Sequence, residues 1–148
     1  MTMKVPLVDL KAQYQRLKPE IDAAVGRVLA SGQFILGPEV KALEQELAAY
    51  CGTTEAVSVA SGTDALELSL RACGIGPGDE VITTASSFFA TAEAILAVGA
   101  RPVFVDIEPL TYTIDVAQIA PAVSPRTKAI LPVHLYGHPC DMDALMRI

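Results

Sequence analysis

The chain has no tryptophan, two histidines and three cysteines, and aromatic residues fill 5% of its 148 positions. Cys51, Cys73 and Cys140 are far apart and form no C-x-x-C pair. Neither a zinc ribbon nor a dithiol redox centre can be built from them, and no metal site is expected. Positive charge is also scarce: 11 Lys and Arg stand against 17 Asp and Glu, for a net charge of −6. The basic residues are scattered singly, which argues against a nucleic-acid binder. No apolar run reaches the roughly 18 residues of a membrane span. The opening Met1-Thr2-Met3-Lys4-Val5-Pro6 has no signal-peptide core. These absences lead to the expectation of a cytoplasmic protein in a reducing compartment. Cys51 and Cys73, each beside a glycine at a helix end, are expected as small buried thiols.

Hydrophobic residues make up 51% of the chain and charged residues 19%, enough apolar material for a core and too much for disorder. Ile21, Ala24, Val25, Val28 and Leu29 fall on one helical face, which predicts a helix from Pro19 to Ala30 with Gly32 just past its end. The same punctuation recurs from Pro38 to Gly52. After that the period changes. Ala56–Ala60, Glu80–Thr83, Pro102–Ile107 and Lys128–Val133 are short, apolar and rich in β-branched residues, and read as strands. Helices are predicted between them, from Ser61, over Phe89–Val98 and over Val116–Val123. Asp141 reads as the N-cap of another helix. Such alternation predicts an α/β fold, a mostly parallel sheet flanked by helices. Ligands in these sheets bind beyond the carboxyl ends of the strands. The segments that matter are therefore Ser61–Asp64, Thr84–Phe89, Glu108–Tyr112 and His134–Gly137.

Ser61-Gly62-Thr63-Asp64 opens a helix directly after an expected strand. Gly62 lets a ligand approach the backbone, the free N–H groups of the first turn favour an anion, and Thr63 adds a hydroxyl. The same four residues also make a plain N-cap. The Walker and G-x-G-x-x-G spacings are absent. Phe88 lies near the end of the second strand, where an aromatic ring can stack on a flat ligand; both Phe residues serve equally well as core. Consecutive side chains at a strand end face opposite ways, so Phe88 is expected toward the ligand and Phe89 toward the core. His134 and Tyr136 follow the fourth strand, as hydrogen-bonding groups or as structural residues beside a glycine turn.

Taken together, Gly32–Val40, Ser61–Leu66, Gly76–Thr83, Pro125–Ile130 and Pro132–Gly137 resemble the DegT/StrS-type sugar aminotransferases, over nearly the whole chain from Val5. The resemblance implies the N-terminal part of the large domain of the aspartate-aminotransferase fold (fold type I), with residues 1–15 as an arm and 16–148 as an incomplete large domain. It implies pyridoxal 5'-phosphate as cofactor, a nucleotide-linked keto-sugar and an amino-acid donor, usually glutamate, as substrates, and a homodimer when complete. Gly62, Thr63 and Asp64 match the segment that holds the cofactor phosphate, and Phe88 the aromatic that stacks on its ring. Thr84 and Ser86 stand where the family often has Pro and His. The Schiff-base lysine and the acid that pairs with the pyridinium nitrogen match positions beyond Ile148, so no catalytic residue can be named, and Lys128 does not fill the role. Two other readings are a family member with sugar dehydratase chemistry and a truncated, non-catalytic one. In the chain as written, the fourth strand is expected to lack cover on one face.

Overall fold

The computed structural model describes residues 5–148, and the chain divides into two compact units, one running to Ser58 and one from Val59 to Ile148. Residues 1–4, the start of the expected arm, lie outside the described residues.

The first unit holds two helices, α1 (Leu10–Ser31) and α2 (Pro38–Cys51). Helix α1 begins well before Pro19, contrary to the expected start. Asp9 caps it, its carboxylate accepting from the Ala12 N–H at 2.9 Å. Pro19 is an interior residue, and side chains brace the turn around it. The Tyr14 hydroxyl donates to Asp22 Oδ1 at 2.7 Å, and the Lys18 ammonium donates to the same carboxylate. Gly32 and Gly52 end the two helices in the left-handed conformation, at φ 66° and 67°, where a side chain is disfavoured.

Ala56–Ala60 is not a strand. It runs without regular structure, with Val57 and Val59 exposed. The Ser58 N–H donates to Glu44 Oε1 at 2.7 Å, so this amide is held by a side chain of α2 and not by a neighbouring strand. A strand exists only by pairing, and the β-branched pattern alone could not reveal that no partner lies alongside among the described residues.

In the second unit a three-stranded sheet has the order β2 (Arg101–Val105), β1 (Glu80–Thr84), β3 (Thr127–Ile130), and both pairings are parallel. Helix α3 (Gly62–Ala72) precedes β1, and α4 (Ala90–Ala97) joins β1 to β2. A 3-10 turn (Val116–Gln118) and the short α5 (Ile119–Ala122) precede β3. Helix α6 (Met142–Leu145) is capped by Asp141, which accepts from the Ala144 N–H at 2.9 Å. The central strand β1 is buried along its whole length. Val81 packs with Leu70, Ile75, Ala94, Ile95 and Val98. Ile82, next in sequence, packs with Val105, Ile114, Ile119, Cys140 and Leu145. Alternation along one strand thus feeds two cores, as a parallel sheet covered on both faces requires.

Three expectations need correction here. Strand β3 stops at Ile130, short of the expected Val133; the Leu131 N–H still donates to Ile82 O at 2.8 Å, but the Leu131 carbonyl is taken by the Thr83 hydroxyl. Its face is not bare: Ala129 and Leu131 pack on the first core and Ile130 on the second, leaving it half-buried as an edge strand. Cys51 and Cys73 are exposed and Cys140 is buried. Each of the first two lies beyond the last buried residue of its helix, Ala48 in α2 and Leu70 in α3.

The amino end of the sheet is tied by one carboxylate. Glu80 is 2% exposed. It accepts from Arg101 at the start of β2, from Arg126 Nε at 2.8 Å just before β3, and from the Ser124 hydroxyl at 2.6 Å. The Arg101 guanidinium, then Ser124 and Arg126, hold its carboxyl down to about 2 from the ordinary 4.5. The depressed value means that this contribution is fully present above pH 4.5 and is lost as pH falls from 4.5 toward 2. Glu80→Gln is expected to lower stability at pH 7 and to flatten its acid dependence in that window, as measured by urea denaturation at a series of pH values.

Candidate active site

Three of the four post-strand segments meet in one cleft of about 400 Å³ at the carboxyl edge of the sheet. Gly62, Thr63 and Leu66 of α3 line it, with Ser87, Phe88, Ala90 and Thr91 after β1, and Val133–Tyr136 after β3. The fourth segment, Glu108–Tyr112, lies elsewhere. Its Glu108 carboxylate accepts from the Leu110 and Thr111 N–H groups and closes a turn. A second cleft of the same volume beside it contains Asp115 and Asp141 as well as Glu108. Each of these carboxylates accepts from backbone N–H groups and so shapes a turn or a helix start.

The start of α3 divides its polar groups between folding and the cleft. Ser61 is the N-cap; its hydroxyl accepts from the Asp64 N–H at 3.1 Å and donates to Asp64 Oδ2 at 2.9 Å. Ser61 is thus a side-chain N-cap whose own hydroxyl proton is taken by Asp64. Asp64 is therefore engaged with Ser61 through both its N–H and its carboxylate, and it does not line the cleft. The Ala65 N–H makes the first helical bond, to Ser61 O at 3.0 Å. That leaves the N–H groups of Gly62 and Thr63, and the Thr63 hydroxyl, with no partner among the described residues. A Cβ built on Gly62 would meet no atom within 4 Å. Packing within the chain does not require glycine there, whereas close approach of a ligand to the two free N–H groups does. With the helix dipole behind them, these groups fit an anion.

The turn after β1 presents an aromatic ring to the same cleft. Thr84 Oγ1 accepts from the Ser86 N–H at 3.2 Å, and the Ser87 and Thr91 hydroxyls share a hydrogen bond of 2.7 Å. These bonds fix the turn and leave Phe88 at the cleft, 80% exposed. Phe89 is not in the core: it is the N-cap residue of α4 with its side chain 70% exposed. Its backbone is already helical (φ −53°, ψ −35°), so the alternation of a strand no longer governs where its ring points.

After β3 the chain turns through Leu135–Gly137, with Tyr136 in the left-handed region (φ 55°), exposed and among the residues that line the cleft. His134, just before it, has Nδ1 accepting from the Cys140 N–H at 3.0 Å. Lys128 is at the opposite edge: the pairing slips by one residue between Glu80 and Val81 and leaves Lys128 as the extra residue at the amino end of β3.

The sequence profile of the DegT/DnrJ/EryC1/StrS aminotransferase family matches residues 15–148. The chain belongs to this family. It is 53% identical over 147 residues to the dTDP-3-amino-3,4,6-trideoxy-alpha-D-glucose transaminase of Streptomyces venezuelae, covering 99% of this chain and 39% of that protein. Among solved structures, S. venezuelae DesV in complex with a ketimine intermediate superposes with a TM-score of 0.94 at 53% identity, over 99% of this chain and 39% of that one. NtdA of Bacillus subtilis, solved with bound cofactor PMP, gives a TM-score of 0.92 at 40% identity, over 99% and 34%. The fold expectation holds: this is the parallel α/β architecture of the fold type I aminotransferases. The chain spans about two fifths of the length of the relatives it matches.

The two hydroxyls at the start of α3 should separate experimentally. Ser61→Ala removes the cap and is expected to cost about 1 kcal/mol of stability. Thr63→Val removes a hydroxyl without a protein partner and is expected to stay within about 0.5 kcal/mol of the parent. Thermal denaturation of the two variants checks this; equal losses would mean that Thr63 is structural too.

Proposed function

We propose that this chain provides the cofactor-phosphate and ring-stacking part of a pyridoxal-phosphate-dependent aminotransferase. The enzyme transfers an amino group, from glutamate, to a nucleotide-linked keto-sugar in polysaccharide or amino-sugar biosynthesis. One observation carries the reading: two free helix N–H groups and an exposed aromatic ring face the same cleft. A phosphate on the Gly62 and Thr63 N–H groups, with the Thr63 hydroxyl as a further donor, anchors one end of the cofactor. Phe88 covers the face of its ring. Asp64 acts indirectly, by fixing Ser61 and so the first turn of α3.

Pyridoxal phosphate supplies the electron sink for the transfer. The residues of this cleft bind and orient it and shield it from water. No lysine or acidic residue is among those that line the cleft. Lys128, on the amino edge, is on the wrong side of the sheet. The Schiff-base lysine and the acid for the ring nitrogen accordingly belong to the remainder of the enzyme, which we place in the cytoplasm as a homodimer with its active sites at the subunit interface.

In the full-length protein, Thr63→Val and Phe88→Ala are each expected to weaken pyridoxal phosphate about tenfold or more, the effect of losing a hydrogen bond to a charged group or a ring contact. Phe89→Ala should leave affinity unchanged. Titration followed by cofactor absorbance measures all three. If neither Thr63→Val nor Phe88→Ala changed affinity, the cleft would be the wrong one. Glutamate-dependent amination of a panel of dTDP- and UDP-linked keto-sugars tests the reaction itself.

A further inference from the structure

The His134 imidazole is held in one tautomer by the core. Its Nδ1 accepts from the Cys140 N–H at 3.0 Å, so this nitrogen carries a lone pair and the ring proton of the neutral form sits on Nε2. Cys140 is itself immobilised: it is 4% exposed, packs with Ile82, Ile114, Ile119 and Leu145, and donates its thiol hydrogen to Val133 O at 3.2 Å. The backbone amide that orients the imidazole is thus part of the second core. The ring lines the same cleft as Gly62, Thr63 and Phe88, and its Nε2–H has no partner among the described residues. His134 is exposed, so a hydrogen-bond donor is fixed in direction on one side and open to a ligand on the other.

We propose that His134 donates its Nε2–H to an anionic oxygen of the ligand bound in this cleft, as a positioning residue whose tautomer is set by Cys140. This rests on the reading of the cleft as a pyridoxal-phosphate site. Two oxygens have the right chemistry, the phenolate on the cofactor ring and the carboxylate of the amino-acid donor. The Phe88 ring and the free N–H groups of Gly62 and Thr63 give the cleft a place for a stacked ring and a place for a phosphate. His134, from the third segment, supplies a donor that neither of those functions uses.

The test uses full-length protein with pyridoxal phosphate and, separately, glutamate. His134→Leu removes the donor. His134→Gln places an amide N–H near the position of Nε2 and should restore function, whereas His134→Asn places it near Nδ1 and should not. The expected result is a ten- to hundredfold loss for Leu and Asn, the range for a hydrogen bond to a charged acceptor. The loss is largely recovered with Gln. Weaker cofactor binding with a shifted absorbance maximum identifies the ring phenolate as acceptor. An unchanged cofactor spectrum with weaker glutamate binding identifies the carboxylate. Two-bond nitrogen–proton NMR of the wild-type protein should show Nε2 protonated and Nδ1 bare, with the signals assigned by their absence from His134→Leu. A protonated Nδ1, or equal binding of both ligands by wild type and His134→Leu, would overturn the inference. Failure of the wild-type protein to bind pyridoxal phosphate would instead defeat the functional reading on which it rests.

Discussion

A single buried carboxylate organises the sheet. Glu80 is the first residue of the central strand, and its partners precede or begin the two flanking strands: Arg101 at the start of β2, Ser124 and Arg126 before β3. A buried charge left unpaired is strongly unfavourable, so the carboxylate is held by donors from both sides. Strand register follows. Glu80 aligns with Arg101 on one side and Thr127 on the other, and the one-residue slip at Lys128 is absorbed next to it. Everything nearer the carboxyl edge inherits its position from this end. Thr83 Oγ1 donates to Leu131 O at 2.8 Å, carrying the alignment of β1 and β3 toward His134.

At the carboxyl edge the polar groups fall into two sets. Ser61, Asp64, Thr84, Ser86, Ser87 and Thr91 satisfy one another and shape the turns. The Gly62 and Thr63 N–H groups, the Thr63 hydroxyl and the outer nitrogen of His134 have no partner among the described residues. Donors dominate this second set, with an aromatic ring beside them. Such a surface is complementary to a flat, anionic molecule, and this complementarity supports the cofactor reading independently of family membership.

Much of this was legible in the sequence where a local signal decides the structure. The Pro38 start and Gly52 end of α2, the Asp141 cap and the parallel alternation of strands and helices all depend on neighbours within a few residues. What depended on distant partners, or on residue types that suit two local roles equally, was not legible. Ala56–Ala60 has strand composition, but its Ser58 amide is taken by Glu44 of α2. Phe89 was expected in the core by strand alternation, yet the chain is already helical there. Asp9 caps α1 through a side chain that could equally have belonged to a loop, so Pro19 looked like the start of the helix. Asp64 was expected at the cofactor phosphate because its residue type suits both capping and binding; in the fold its N–H and one carboxylate oxygen go to Ser61. His134 was visible as a polar residue at the ligand edge, but its tether to Cys140 joins two segments through the fold.

The separation of Glu80 from the cleft has a consequence for how such a scaffold can diversify. The fastening of the strands is at one edge of the sheet and the ligand-facing groups are at the other, joined by a strand that is buried throughout. Loops after β1, β2 and β3 can change length and sequence without touching the carboxylate that sets the register. Substitution at Glu80, Arg101 or Arg126, by contrast, has no local remedy. New substrate preferences can therefore accumulate on one rim of the sheet while the opposite rim stays constant, as is general for folds that carry their chemistry on loops above a rigid frame.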